Sequence, residues 1–312
     1  MSPASETKII LVKRKSRLED LIVRFNSVSQ ARFYIEHLGA DFNDYQLEHE
    51  EYAAAVAGSL EILQQAGRVQ LLDRAYLPNF LFGPGDLVVA VGQDGLVANT
   101  LKYLDGQPLL GVNPAPKRWD GVLLPFKVPD LAKVVPEVIA GGRQRKQVTM
   151  AAARLNNGQT LYAVNDLFVG QRTHVSARYQ IQQGKFSEAH SSSGIIISTG
   201  LGSTGWLKSI VAGAAGIAGS VAQEKLPAQL KEPVGWDADF LYFSVREPFP
   251  SRTTGTQLVF GKITPQQPLT VLSKMAENGV IFSDGIEKDF LEFNSGAALT
   301  VTIADKKGLL VV

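Results

Sequence analysis

The sequence predicts two domains: a doubly wound α/β domain with a mostly parallel sheet over residues 1–126, and a β-rich domain over 127–312. Three observations carry this. The first third alternates short apolar runs with stripes at helical spacing. From about residue 127 the pattern turns to alternating, β-branched runs. A chain of 312 residues, 45% hydrophobic and 20% charged, is long enough to bury more than one core.

In chain order, KIILV at 8–12 is a buried-strand run. Ser16 and Glu19 form a capping box, followed by Leu18, Leu21, Ile22 and Phe25 on one helical face. Ser27 to Gln30 is a second cap, with Ala31, Tyr34, Ile35 and Leu38 behind it and Gly39 as the stop. Tyr52, Val56, Leu60 and Leu63 form a third stripe, ended by Gly67. Strands at 69–72, 86–91 and 108–112 enclose a short helix from Val97 to Leu104. After a helical segment at 128–140 and the Gly141-Gly142 break, strands are expected at 147–154, 160–169, 175–183, 194–198, 239–246, 257–260, 269–273, 279–283, 298–303 and 308–312. One helix, after Gly205, interrupts them, and 225–238 reads as a surface loop or irregular insertion.

A net charge of +1 supplies no field for binding nucleic acid, and the short Lys13, Arg14, Lys15, Arg17 cluster reads as a solvated surface. No apolar stretch is long enough to span a bilayer. The opening MSPASETK has neither a secretory nor a transit pattern, which favours the cytoplasm. Without cysteine, disulfides and thiolate chemistry are excluded. His37, His49, His174 and His190 lack ligand spacing, so no metal site is expected from them.

Four motifs remain. Gly200-Leu201-Gly202-Ser203-Thr204-Gly205 follows an apolar run and opens a helix, a setting that presents backbone N–H groups to phosphate. It matches G-x-G-x-x-G formally, but lacks an acidic residue about twenty positions on and lies in the β-rich half. Gly92-Gln93-Asp94-Gly95 ends the strand 87–91. A turn there is unremarkable, but the carboxyl edge of a parallel sheet is where ligands bind, and a carboxylate can orient or deprotonate a hydroxyl. Asn165-Asp166 interrupts an apolar run, as a β-bulge or as an amide and a carboxylate offered to ribose hydroxyls. Ser283-Asp284-Gly285 reads as a tight turn.

Taken in order, these motifs resemble those of the NAD kinase family, within the wider superfamily of diacylglycerol and sphingosine kinases. Gly92-Gln93-Asp94-Gly95-Leu96 is similar to the family's G-G-D-G-T turn, Asn165-Asp166 to its Asn-Glu/Asp pair, Thr199 to Trp206 to its T-P-x-G-S-T-A-Y segment, and Asp284-Gly285 to its late Asp-Gly. Gly111-Val112-Asn113 matches its strand end. The mitochondrial-type branch and its bacterial relatives are the nearest match, through Asn113–Pro125, Ala163–Ile181, Ser192-Ser193-Gly194, Phe243–Arg252 and Val280–Phe293. Similarity covers most of the chain beyond residue 80.

The resemblance implies an NAD kinase/diacylglycerol kinase-like fold and transfer of the ATP γ-phosphoryl group to the adenosine-ribose 2′-hydroxyl of NAD. It implies Asp94 as the group that orients the hydroxyl and takes its proton. Asn165, Asp166, Ser193, Thr204 and Trp206 are implied contacts of NAD. Gly92, Gln93, Gly95, Leu96, Asn113, Gly202 and Ser203 are implied contacts of the nucleotide phosphates. Mg²⁺ would travel with ATP, and a homodimer or higher homo-oligomer is expected. Gln93 and Leu96 depart from the family's glycine and threonine, and Gly205-Trp206 from its Ala-Tyr; Ser193 is a mark of the branch. A non-catalytic nucleotide-binding homologue and a lipid or sugar kinase are the alternatives.

Overall fold

The computed structural model describes residues 7–221 and 232–312. The chain divides into two compact units, 1–146 with 309–312, and 147–308.

In the first unit, β1 (Lys8–Lys13), β2 (Arg68–Asp73), β3 (Leu87–Val91) and β4 (Pro108–Val112) form a parallel sheet in the order β2-β1-β3-β4. Between β1 and β2 run α1 (Arg17–Phe25), α2 (Val28–His37) and α3 (Phe42–Ala66); α4 (Asp94–Leu101) links β3 to β4, and α5 (Leu131–Ile139) follows. β3, and β1 between its terminal lysines Lys8 and Lys13, are apolar and buried because the sheet is covered on both faces. One face packs on α3 and α5 through Tyr52, Ala55, Leu63, Leu131, Val134 and Val138. That burial carries the unit past the expected 126/127 boundary, since α5 closes the first core rather than opening the second domain.

The capping box forms as read: the Ser16 hydroxyl accepts from Glu19 N at 3.2 Å, and the Glu19 carboxylate from Ser16 N at 2.7 Å. The basic cluster beside it is only partly solvated. Arg14 donates to Glu48 at 2.8 Å, Arg17 to Glu48 at 3.0 Å and to Asp44 at 2.7 Å. Glu48 is 4% exposed, and the two guanidinium groups hold its carboxyl below the usual range against the opposing effect of burial.

The second unit takes up β5 (Arg145–Leu155), β6 (Thr160–Ala163), β7 (Asp166–Gln171), β8 (Ala177–Gln183), β9 (Phe186–Ser192) and β10 (Ile195–Ser198). A 3₁₀ turn (Leu201–Thr204) leads to α6 (Trp206–Val221). β11 (Leu241–Val245), β12 (Phe260–Ile263), β13 (Leu269–Ser273), β14 (Gly279–Ser283), β15 (Ile286–Glu292) and β16 (Ala298–Val311) follow. One antiparallel sheet runs β12-β11-β10-β7-β14-β15; in the other, β16, β13, β8 and β9 are neighbours, and β5 pairs with β16 and β6. Inward residues of both sheets, among them Leu167, Val169, Ile181, Ile195, Phe243 and Val271, share one core.

Three expectations are corrected. The run 160–169 is two strands broken at Val164-Asn165, and the runs 298–303 and 308–312 are one strand, β16, whose end pairs with β4. The short helix starts at Asp94 rather than Val97. Of the expected loop 225–238, residues 225–231 lie outside the described residues, and 232–238 have no regular structure. Among the described residues no helix is long and apolar enough to cross a membrane.

Candidate functional site

In the first unit, the site residues gather at the carboxyl ends of β3 and β4. Asp94 is the first residue of α4, and its half-buried carboxylate accepts from Leu123 N at 2.8 Å and Val122 N at 3.2 Å. One backbone donor on each oxygen fixes the plane of the carboxylate and leaves further lone pairs open, since an ionised carboxylate accepts about four hydrogen bonds. The segment 113–126 that supplies those donors is tied down along its length. Asn113 donates from its amide to Trp119 O at 2.9 Å and accepts from Ala115 N at 3.1 Å. Arg118 reaches Asp44 at 2.5 Å, and Gly111 lets the segment return against β4, where a Cβ would stand 2.0 Å from Leu123 O. The Asn113 side chain, expected on the nucleotide, is thus spent on its own loop. It also borders a cavity of about 770 Å³, lined by Lys117, Arg118 and Lys127 among others.

The glycine turn is open at one position only. A Cβ on Gly95 would meet nothing within 4 Å, whereas one on Gly92 would touch Leu96 Cδ2 at 2.8 Å. Leu96, expected against the phosphates, is instead 2% exposed and folds over Gly92 into the core, because it points inward from the first turn of α4. Gln93 is the N-cap residue of α4 and makes no side-chain cap bond.

In the second unit, three segments far apart in sequence meet at the corner between β6 and β7. The Asp284 carboxylate accepts from Asn165 N at 2.6 Å, Val164 N at 3.1 Å and Asp166 N at 3.3 Å. Thr199 donates through its hydroxyl to Val164 O at 2.5 Å and through its N–H to Asn165 O at 3.0 Å. A Cβ on Gly202 would lie 2.0 Å from that same Asn165 O. The corner thus holds Asn165 and Asp166 at the start of β7. Burial, with the negative charge of Asp284 adding to it, pushes the Asp166 carboxyl up to about 7. In the sequence Asp284 is a turn residue, and nothing local signals that its side chain reaches back 118 to 120 positions.

The Gly200–Gly205 segment differs from its expected role. Gly200 and Gly202 are glycines because backbone carbonyls, those of Gly235 and Asn165, occupy the space a Cβ would need. The Ser203 hydroxyl donates to Gly200 O at 2.7 Å and accepts from Val234 N at 3.0 Å, so it too is engaged within the unit. Thr204 is exposed beside a cavity of about 410 Å³ that Lys208 and Tyr242 also line. Trp206 stacks on Phe168 with centroids 6.1 Å apart, and the Arg246 guanidinium lies 5.6 Å from its centroid, so its ring is part of an apolar cluster. Ser193 is exposed, just before Gly194 with its φ of +99°.

No family model matches the chain. It is 28% identical over 168 residues to an NAD kinase of Burkholderia pseudomallei (strain K96243), covering 49% of this chain and 55% of that protein. It is 29% identical over 163 residues to an NAD kinase of Methylococcus capsulatus, covering 48% and 55%. The chain thus spans about half the length of the curated relatives it matches. Among solved structures, it is similar to an NAD kinase from Archaeoglobus fulgidus in complex with ATP, with a TM-score of 0.56 at 15% identity over 98% of this chain and 94% of that one. The yeast NADH kinase complexed with NADH gives a TM-score of 0.56 at 15% identity, over 99% and 84%. The two-domain fold is that of these kinases.

Proposed function

We propose that this chain, which belongs to the NAD kinase family, transfers the γ-phosphoryl group of ATP to the 2′-hydroxyl of the adenosine ribose of NAD, giving NADP. The observation that carries the reading is the corner at Asn165-Asp166, to which three of the separate motifs, 165–166, 199–202 and 284, contribute hydrogen bonds or close packing. Such convergence suits a site that must hold a polar ligand in one orientation.

In this reading, Asp94 orients the attacking hydroxyl and receives its proton, its plane already set by Val122 and Leu123. Asn165 and Asp166 hold ribose hydroxyls, with Ser193 and Thr204 as exposed polar neighbours of NAD and Trp206 as an apolar wall. Gly92, Gln93 and Gly95 border the phosphates at the first turn of α4, where the positive end of the helix dipole favours anions. Mg²⁺ enters with ATP. As a hard cation it is held by oxygen ligands, which the ATP phosphates supply. The same reading makes the protein a member of the mitochondrial-type branch, working in the cytoplasm as at least a dimer.

The test is incubation with NAD, ATP and Mg²⁺, reading NADP with an NADP-specific dehydrogenase. Steady NADP formation with ATP is the expected outcome. Tight NAD binding with no NADP from ATP overturns the reading. A supporting measurement compares Asn165→Ala and Asp166→Ala, expected to weaken NAD binding more than ATP binding.

A further inference from the structure

We propose that Asp284 is a positioning residue for the NAD-binding corner, fixing Asn165 and Asp166 through their backbone N–H groups and placing a second carboxylate beside Asp166. The inference rests on the reading of that corner as the NAD site.

The geometry goes beyond what a turn requires. Asp284 and Gly285 both have positive φ, +54° and +70°, and join β14 to β15 as a two-residue hairpin turn. Asn or Gly would meet that backbone demand equally well. An aspartate adds a carboxylate that enters the concavity formed by three successive N–H groups, Val164, Asn165 and Asp166. Runs of this kind are anion cradles. Here the anion is supplied by the chain, and the Asp284 N–H returns to Asp166 O at 2.9 Å, closing the corner from both sides. With the β6–β7 connection pinned, the Asn165 and Asp166 side chains leave a fixed backbone.

The electrostatic half of the inference follows from what else is near. β6, β10 and β14, which flank the corner, carry no acidic or basic residue, and Ser198 is the partner of Asp166 on β10. Burial comes first in raising the Asp166 carboxyl to about 7, and the negative charge of Asp284 adds to it. Two carboxyl groups sharing a site resist double ionisation. A carboxyl raised in this way accepts a hydrogen bond from a ribose hydroxyl when ionised and can donate one when protonated.

Two variants separate the two effects. Asp284→Asn keeps an oxygen for the N–H groups and removes the charge; Asp284→Ala removes both. Carboxyl-labelled aspartate, followed by NMR across pH 4 to 9, reads Asp166 directly and needs no turnover. We expect Asp284→Asn to lower the Asp166 titration midpoint by about half a unit or more. Asp284→Ala should raise the Michaelis constant for NAD on the order of tenfold while that for ATP holds within about twofold. If the wild-type protein makes no NADP, the kinase reading falls, but the titration and a calorimetric NAD titration still decide this one. An unchanged midpoint in folded Asp284→Asn overturns the charge effect. Equal losses toward NAD and ATP in Asp284→Ala, or lowered melting temperature with NAD affinity intact, reduce Asp284 to a turn residue.

Discussion

Two glycine turns in this molecule look alike in sequence and are built for different purposes. Gly92-Gln93-Asp94-Gly95 and Gly200-Leu201-Gly202 both end a buried strand and open toward a helix. In the second, glycine makes room for the chain itself, since the Gly235 and Asn165 carbonyls fill the space beside Gly200 and Gly202. In the first, Gly95 faces open space and the close neighbour of Gly92 is one flexible side chain. Room for backbone is a packing requirement; room left empty at a helix start is a requirement a ligand can use. The same division separates the carboxylates. Asp94 is oriented by two N–H groups, while Asp166 is buried beside a second acid.

The largest effect should come from the first turn. Asp94→Asn should lower turnover on the order of a hundred- to ten-thousand-fold while leaving melting temperature near that of the wild type. Asparagine keeps an acceptor oxygen for one of the two donors, Leu123 N at 2.8 Å, and gives up the longer bond from Val122 N at 3.2 Å, so the loop keeps its shorter tie. Near-normal NADP formation would remove Asp94 from proton transfer and leave it as a loop latch.

The second region should reveal itself through pH. Burial and the charge of Asp284 push the folded Asp166 carboxyl up to about 7, against about 3.9 for an aspartate in an unfolded chain. Below the unfolded value both states hold the proton and nothing is lost. Between them the native state binds more protons, so stability falls as pH rises from about 4 to 7, by a few kcal/mol at most. Asp166→Asn should flatten that slope in urea unfolding series; an identical slope in the variant would mean that Asp166 ionises freely in the native protein.

Gly202→Ala sharpens the packing half of the comparison. Its Cβ would lie 2.0 Å from Asn165 O, and a backbone carbonyl cannot step aside as a side-chain end can. The expected cost is roughly 1–3 kcal/mol or more, with NAD affinity falling as the corner moves. A stable variant with normal NAD binding would break the comparison. Leu96→Thr, a return toward the family's residue, should cost about 1–3 kcal/mol for burying a hydroxyl without improving the Michaelis constant for ATP, because the side chain points into the core. A clear gain toward ATP would show that α4 rearranges when nucleotide binds.

What was legible in the sequence was local. The Ser16–Glu19 box, strands β1 to β4 of the first unit and the helical segment at 128–140 announce themselves within a few residues, and each formed. What was hidden depended on distant partners. Arg14 and Arg17 look like surface charges until Glu48 and Asp44, 27 to 34 positions away, close on them. Asp284 looks like a turn until its reach to the corner is seen. β9 (FSEAHSS) and β15 (IEKDFLE) were missed because polar strands lack the apolar alternation that marks a half-buried one. The glycines were legible as special, but which occupant each made room for was not, since backbone carbonyl and ligand leave the same mark in sequence.

Gly95→Ala, the smallest expected effect, isolates that ambiguity. Nothing within 4 Å opposes a methyl group, and alanine in the first turn of α4 restricts the unfolded chain. Stability should therefore rise by about 0.4–1 kcal/mol in thermal or urea unfolding. If the open space at Gly95 is the approach of a phosphate to the backbone, the same methyl group stands in its way. The Michaelis constant for ATP should then rise several-fold while that for NAD changes little. A variant that gains stability and keeps its ATP constant would show that the space beside Gly95 is merely solvent, and the contrast between the two glycine turns would then rest on packing alone.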